Sequence, residues 1–119
     1  MIQLQEINFP KDCKIIRHLL HNYDPVNSFS EESNFDYLSE NLLQCIFPDE
    51  NLTIDLGWYG DIITNKGEFK IYIIQDENWE VPVNIIHSKS IAEITILLNK
   101  ILDYYTATIT DDNIVNDYD

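Results

Sequence analysis

Asp55, Asp61, Asp76, Glu77 and Glu80 follow one another through the middle of the chain, interleaved with Trp58, Tyr59 and Trp79. Two carboxylates at a suitable separation can work on a glycosidic bond, one as acid and the other as base or nucleophile. A group of carboxylates can also hold a hard divalent cation, although no calcium-loop spacing is present here. Against both readings stands the composition: with 21 Asp and Glu among 119 residues, carboxylates meet by chance. The third reading is a binding surface. Aromatic rings supply large rigid contact area, and negative charge speeds the encounter with a basic protein. On that reading the contact residues are Asp55, Tyr59, Asp61, Asp76, Glu77, Trp79 and Glu80. Trp58, in phase with Leu52, Ile54 and Leu56, is expected in the core instead.

The remaining reactive side chains complete no known constellation. His18 and His21, three apart on an expected helix, would share a face but have no carboxylate pair to finish a metal site. His87 reads as structural. Cys13 and Cys45 belong to no CxxC pair and sit in apolar surroundings, the pattern of buried free thiols in a reducing compartment. Glycines stand only at 57, 60 and 67, which cannot form GxGxxG or GxxxxGK[ST], and neither GxSxG nor HExxH occurs. No catalytic residue, metal or cofactor is expected.

Charge narrows the partners. Seven basic residues against 21 acidic ones leave −14, divided as −7 for residues 1–60 and −7 for residues 61–119. Affinity for nucleic acid comes from Lys and Arg displacing counterions, so this chain is a poor ligand for phosphate backbones. A basic protein remains a fitting partner. No run of about 18 apolar residues exists to span a membrane. No basic and apolar leader follows Met1, so a cytoplasmic protein is expected. The length suits one domain, placed at residues 1–110. Asp111, Asp112, Asp117 and Asp119, with no base among them, mark residues 111–119 as an acidic tail, expected to fray.

The elements that must position these residues can be read from periodicity. Pro10 suits a helix start, and Cys13, Ile16, Leu19 and Leu20 recur at helical spacing from Lys11 to about Tyr23, where Asp24-Pro25 stops the pattern. After a polar loop, Ser33 or Asn34 can cap a second helix over 35–46, carrying Phe35, Leu38, Leu42, Cys45 and Ile46. The period then changes to two. Leu52, Ile54, Leu56 and Trp58 alternate with Thr53, Asp55 and Gly57 as a half-buried strand. Gly57 and Gly60 suggest a bulge or twist, and Asn65-Lys66-Gly67 reads as a hairpin turn with Gly at positive φ. Glu68 to Gln75 returns with Phe69, Ile71 and Ile73 on one face and Lys70, Tyr72 and Ile74 on the other. That second face is apolar enough for a central or covered strand, leaving room for a homodimer or for cover by the first two helices. Val83 to Ser88 forms a third strand. Ser90-Ile-Ala-Glu93 is a capping box opening a helix with Ile91, Ile94, Leu98, Ile101 and Tyr105 on one face. Thr106 to Thr110 is β-branched and reads as a short edge strand. The expected architecture is α+β: two N-terminal helices, an antiparallel meander of three or four strands, and a long C-terminal helix packed on the sheet.

The words Ile54-Asp-Leu-Gly-Trp-Tyr59, Gly67-Glu-Phe-Lys-Ile-Tyr-Ile-Ile74 and Trp79-Glu-Val-Pro82, followed by a capped helix, are similar to a layout found in bacterial immunity proteins. These are small antitoxins encoded beside polymorphic toxins, including those of contact-dependent growth inhibition systems. The resemblance covers roughly residues 52–105. It implies a cytoplasmic protein without catalytic activity that neutralises a cognate toxin domain by binding it. Many such toxins are nucleases with basic clefts, which an acidic inhibitor occupies as the nucleic acid would. The alternative reading is an acidic adaptor or regulatory subunit unrelated to a toxin.

Overall fold

The computed structural model describes residues 2–27, 30–61, 63–64 and 66–117. Ser28 of the expected loop, Asn65 of the expected turn and Asp119 of the expected tail lie outside them. Five strands form one antiparallel sheet: β1 (Lys14–His18), β2 (Leu43–Phe47), β3 (Leu52–Asp61), β4 (Lys66–Gln75) and β5 (Asn84–Ser88). Each pairs with its neighbours in sequence, so the strand order is that of the chain. A short helix, α1 (Glu31–Tyr37), lies between β1 and β2, and a long one, α2 (Ile91–Asp117), closes the chain. Among the described residues no helix is long and apolar enough to cross a membrane.

The core follows from alternation. Side chains on a strand point alternately to opposite faces, so Leu52, Ile54, Leu56 and Trp58 of β3 share one face and all are buried. The register continues that face outward. Leu56 stands opposite Leu43 on one side and Ile71 on the other, Ile71 opposite Ile86, and Trp58 opposite Phe69. Onto this face α2 lays Ile91, Ile94, Leu98 and Leu102, all buried in the same cluster. Ile101 and Tyr105, expected on the central stripe, flank it half-buried, and Leu102 completes it four residues after Leu98. Helix entry is held as expected on one side only: the Glu93 amide donates to Ser90 Oγ at 3.1 Å. The Ser90 amide donates not to Glu93 but to Ser88 Oγ at 3.0 Å, which ties the helix to the end of β5.

The two N-terminal helices are not there. The Lys11–Tyr23 segment contains an edge strand, and its apolar positions do not form one buried stripe: Ile16 and Leu19 are exposed while Leu20 is buried. The register slips between Ile15 and Arg17, where a bulge adds one residue. That extra residue breaks the period-two count and leaves a spacing that mimics a helix. Residues 35–46 divide. The helix is capped by Ser30, whose side chain accepts from the Ser33 amide, and it stops at Tyr37. Leu43, Cys45 and Phe47 then alternate with Gln44 and Ile46 as β2, buried residues on the core face. Long-range pairing to β3 outweighs a local pattern that Leu38, Leu42, Cys45 and Ile46 fit by coincidence. Thr106 to Thr110 is part of α2, whose backbone remains helical to Asp117.

Two glycines answer to close approach. Gly60, not Gly67, holds the positive φ, at 151°, and the two stand opposite each other near the β3–β4 hairpin. At Gly57 a side chain would overlap the backbone of Glu40. There the chain leaving α1 crosses over β3, and the Trp58 amide donates to the Ser39 carbonyl at 2.7 Å. Gly57→Ala should therefore destabilise the fold by about 1–3 kcal/mol, the usual cost of overpacking. The check is a shifted urea midpoint at unchanged slope.

Candidate functional site

With one face of the sheet against α2, the other carries Thr53, Asp55, Gly57 and Tyr59 from β3. The register places Gln44 and Tyr72 on either side of Asp55, with Arg17 beyond Gln44 and Ile85 beyond Tyr72. Ile46 and Ile74 flank Thr53 in the next row. No helix is needed to bury part of this face. Ile74 and Asp55 are both buried, the latter 5% exposed. Beside them runs a groove of about 540 Å³ lined by Ile16, Gln44, Ile46, Thr53, Glu77 and Trp79. Ile16 and Trp79 are each nearly half exposed at its walls.

The loop that brings Glu77 and Trp79 to the groove is shaped by its backbone. Asp76 and Glu77 both adopt left-handed conformations, with φ of 54° and 59°. The turn is anchored where the Asp76 amide donates to the Asn51 carbonyl at 2.9 Å and the Asn51 side-chain amide donates to Asp76 Oδ1 at 3.3 Å. Non-glycine residues take this conformation at a cost, and such positions are found where surrounding contacts over-determine them. The Trp79 amide then donates to the Glu77 carbonyl, keeping the loop tight.

Asp55 lies one hydrogen bond behind the groove, with Gln44 Nε2 donating to its Oδ2 at 2.9 Å. Burial pushes its carboxyl above the ordinary range; the Gln44 bond and the Arg17 charge oppose the shift without cancelling it. Tyr59, further along the same face, has its phenol pushed up to about 12 by burial and by the nearby Asp55, Tyr72 and Glu40. Its ring meets Tyr72 edge-on at 5.6 Å and lies under the Lys70 ammonium at 5.6 Å.

The seven sequence-derived contact residues are therefore distributed rather than gathered at one rim. Glu77 and Trp79 line the groove, Asp55 backs it, and Tyr59 sits on the same face. Asp76 and Glu80 are exposed in the Trp79 loop. Asp61 lies at the opposite end of the β3–β4 ribbon: Leu52 pairs with Gln75 at one end and Asp61 with Lys66 at the other. At about 3.4 Å per residue, that separates Asp61 from the Asp76 turn by roughly 30 Å. Asp61 serves its own hairpin, accepting from the Ile63 amide at 2.8 Å and the Thr64 hydroxyl at 2.9 Å, and these bonds lower its pKa. Sequence reasoning missed Ile16, Gln44 and Ile46 because their strands read as helices. The alternation Leu43-Gln44-Cys45-Ile46-Phe47 was the signal available for two of them.

The other reactive groups are held in structural contacts. His18 Nε2 lies 2.8 Å from the Gln5 carbonyl, and His87 pairs with Glu68 at 3.0 Å. Cys13 and Cys45 are free thiols sharing a hydrogen bond; burial raises both, Cys45 to about 12. Thiols kept so fully protonated are poor nucleophiles. Among the described residues no three His, Cys, Asp or Glu side chains converge to hold a metal ion. What the outer face offers is contact area beside negative charge. No protein-family model, curated protein or solved structure gave a match to this chain.

The raised pKa of Asp55 fixes the sign of its contribution to stability. An acid with a higher pKa in the folded state binds more protons folded than unfolded between the two values. Its contribution is full below the unfolded pKa and is lost as pH rises through the folded one. Asp55→Asn should thus raise the melting midpoint at neutral pH by a few degrees. The difference from the parent chain should shrink as pH falls through the raised pKa, as followed by thermal melts across a pH series.

Proposed function

We propose that this chain is an immunity protein: a cytoplasmic, non-enzymatic inhibitor that binds a basic toxin domain, of nuclease type, and occludes its active-site cleft. The observation that carries the reading is the outer sheet face, where Trp79 and Ile16 are exposed around a groove beside Glu77 in a chain of charge −14. Exposed aromatic and aliphatic groups give an interface its few strong contacts, while the charge steers a basic partner toward them. The resemblance of residues 52–105 to immunity proteins points the same way. Gln44, hydrogen-bonded to the buried Asp55, gives this groove a packed floor, so docking needs little reordering beneath it.

The first test is co-expression with the C-terminal domain of any large protein encoded beside it. Rescue of growth and a stoichiometric complex on one affinity tag are expected; a folded chain that neither rescues nor co-purifies would overturn the reading in favour of an acidic adaptor. Reversing Asp76, Glu77 and Glu80 together to Lys should slow association by about tenfold or more at low salt and much less at high salt. Trp79→Ala should act on the dissociation rate instead, weakening the complex by about 2 kcal/mol. Stopped-flow association and surface-plasmon dissociation measurements separate the two effects.

A further inference from the structure

The sheet has two outer edges, and they differ in how they meet solvent. On β1 the edge is interrupted by the bulge between Ile15 and Arg17 and carries Lys14 and Arg17. Bulges and inserted charges are the devices by which exposed edges avoid pairing with another chain. On β5, Asn84-Ile-Ile-His-Ser88, the register to β4 is regular and there is no Asp, Glu, Lys or Arg. No acid occurs anywhere between Glu80 and Glu93, in a chain that otherwise averages one acidic residue in about every six.

The edge also has backbone groups that are not bonded to β4. The Ile85 amide donates not to β4 but to its own neighbour, Asn84 Oδ1, at 2.8 Å. Residues of an antiparallel edge strand bond inward and outward in alternation, so Ile85 and His87 present their backbone groups away from the sheet. Ile85, Val83 and Val81 are all exposed beside them. On the helix side the apolar surface continues into a groove of about 380 Å³ between β5 and α2, lined by Val83, Ile86, Leu97, Lys100, Ile101 and Tyr104. No carboxylate lines it.

From this we infer that β5 is a self-association edge, pairing antiparallel with β5 of a second copy about a two-fold axis at Ile86. The sheet then runs through ten strands, and the apolar groove between β5 and α2 is buried along with the edge. Antiparallel pairing centred on Ile86 opposes Ile85 to His87 and Asn84 to Ser88, so no like charges meet. The outward residues Ile85 and His87 fall opposite each other, where their amides and carbonyls exchange hydrogen bonds once the Asn84 side chain turns away. Charge selects a copy of this chain over a basic partner at this edge, since the strand itself has no acid and the neighbouring Glu68 of β4 is already paired with His87. The same argument locates the contact: two chains of −14 repel over most of their surfaces, and of the two acid-free edge strands β1 is broken by a bulge and carries Lys14 and Arg17, whereas β5 brings no charged side chain against its copy. The inference stands apart from the toxin-binding reading, which uses the other face of the sheet.

Sedimentation velocity on the free full chain tests it, over protein concentrations of about 1–100 µM. Expected is a species of twice the 14.0 kDa chain mass that tightens as salt is raised, because salt screens the mutual repulsion. A complex with a basic toxin would weaken under the same change, so the two associations are separable. Ile85→Glu should weaken the dimer by about tenfold or more, whereas Ile15→Glu, with the same added charge on the opposite edge, should leave it unchanged. A monomer at every concentration and salt would overturn the inference, as would a dimer insensitive to Ile85→Glu or broken equally by Ile15→Glu. Should Ile85→Glu fail to fold, hydrogen exchange on the unaltered chain decides. Protection of the Ile85 and His87 amides that rises with protein concentration supports the pairing, and protection independent of concentration refutes it.

Discussion

Because side chains alternate along a strand, covering one face of a sheet leaves the other to be dealt with separately. That constraint organises the molecule. The residues Leu52, Ile54, Leu56 and Trp58 commit one face of β3 to α2, and the register carries the commitment across the whole sheet. Burial of this face is the dominant stabilising term, with each large aliphatic side chain contributing about 1.5–3 kcal/mol. Asp55 and Tyr59 fall on the opposite face for no reason but their odd numbers in that alternation.

The opposite face is finished by irregular chain. The segment leaving α1 lies over Gly57, and the loop after β4 brings Trp79 beside Thr53 and Ile46. Between these covers a groove stays open. The result is a floor of buried, hydrogen-bonded groups, with Gln44 bonded to Asp55, beneath an exposed apolar wall and flanking carboxylates. Such a surface is packed below and charged above. Buried Asp55 joins that floor at a cost to stability at neutral pH, its carboxyl disfavoured as an anion by the same burial that keeps Ile74 dry.

The two edges divide the chain's surface by charge. Acidic residues gather in the α1 segment, the turn between β2 and β3 and the turn after β4, while the edge strands β1 and β5 carry no acid at all. On β1 the absence of acid is accompanied by a bulge and two bases, and on β5 by a regular register and an apolar groove. The proposed face for an unlike partner and the proposed edge for a like one therefore do not compete.

Long, regular elements were legible in the sequence. Period two over β3 and β4 and period 3.6 from Ile91 to Tyr105 each repeat enough times to outweigh chance, and they placed the meander, the closing helix, Trp58 in the core and Asp55 off it. The first fifty residues were misread because their elements are short: five residues at β1 with a bulge, seven at α1 and five at β2. Over such lengths a handful of apolar residues fits either period, and the deciding term is hydrogen bonding to a partner strand far along the chain. The same holds for the candidate face. Residue types announced charge and aromatic area, but only tertiary pairing joined Ile16, Gln44 and Ile46 to Glu77 and Trp79 while sending Asp61 to the far hairpin. Local periodicity settles which way a side chain faces within its own element; which elements lie side by side depends on contacts between residues distant in sequence.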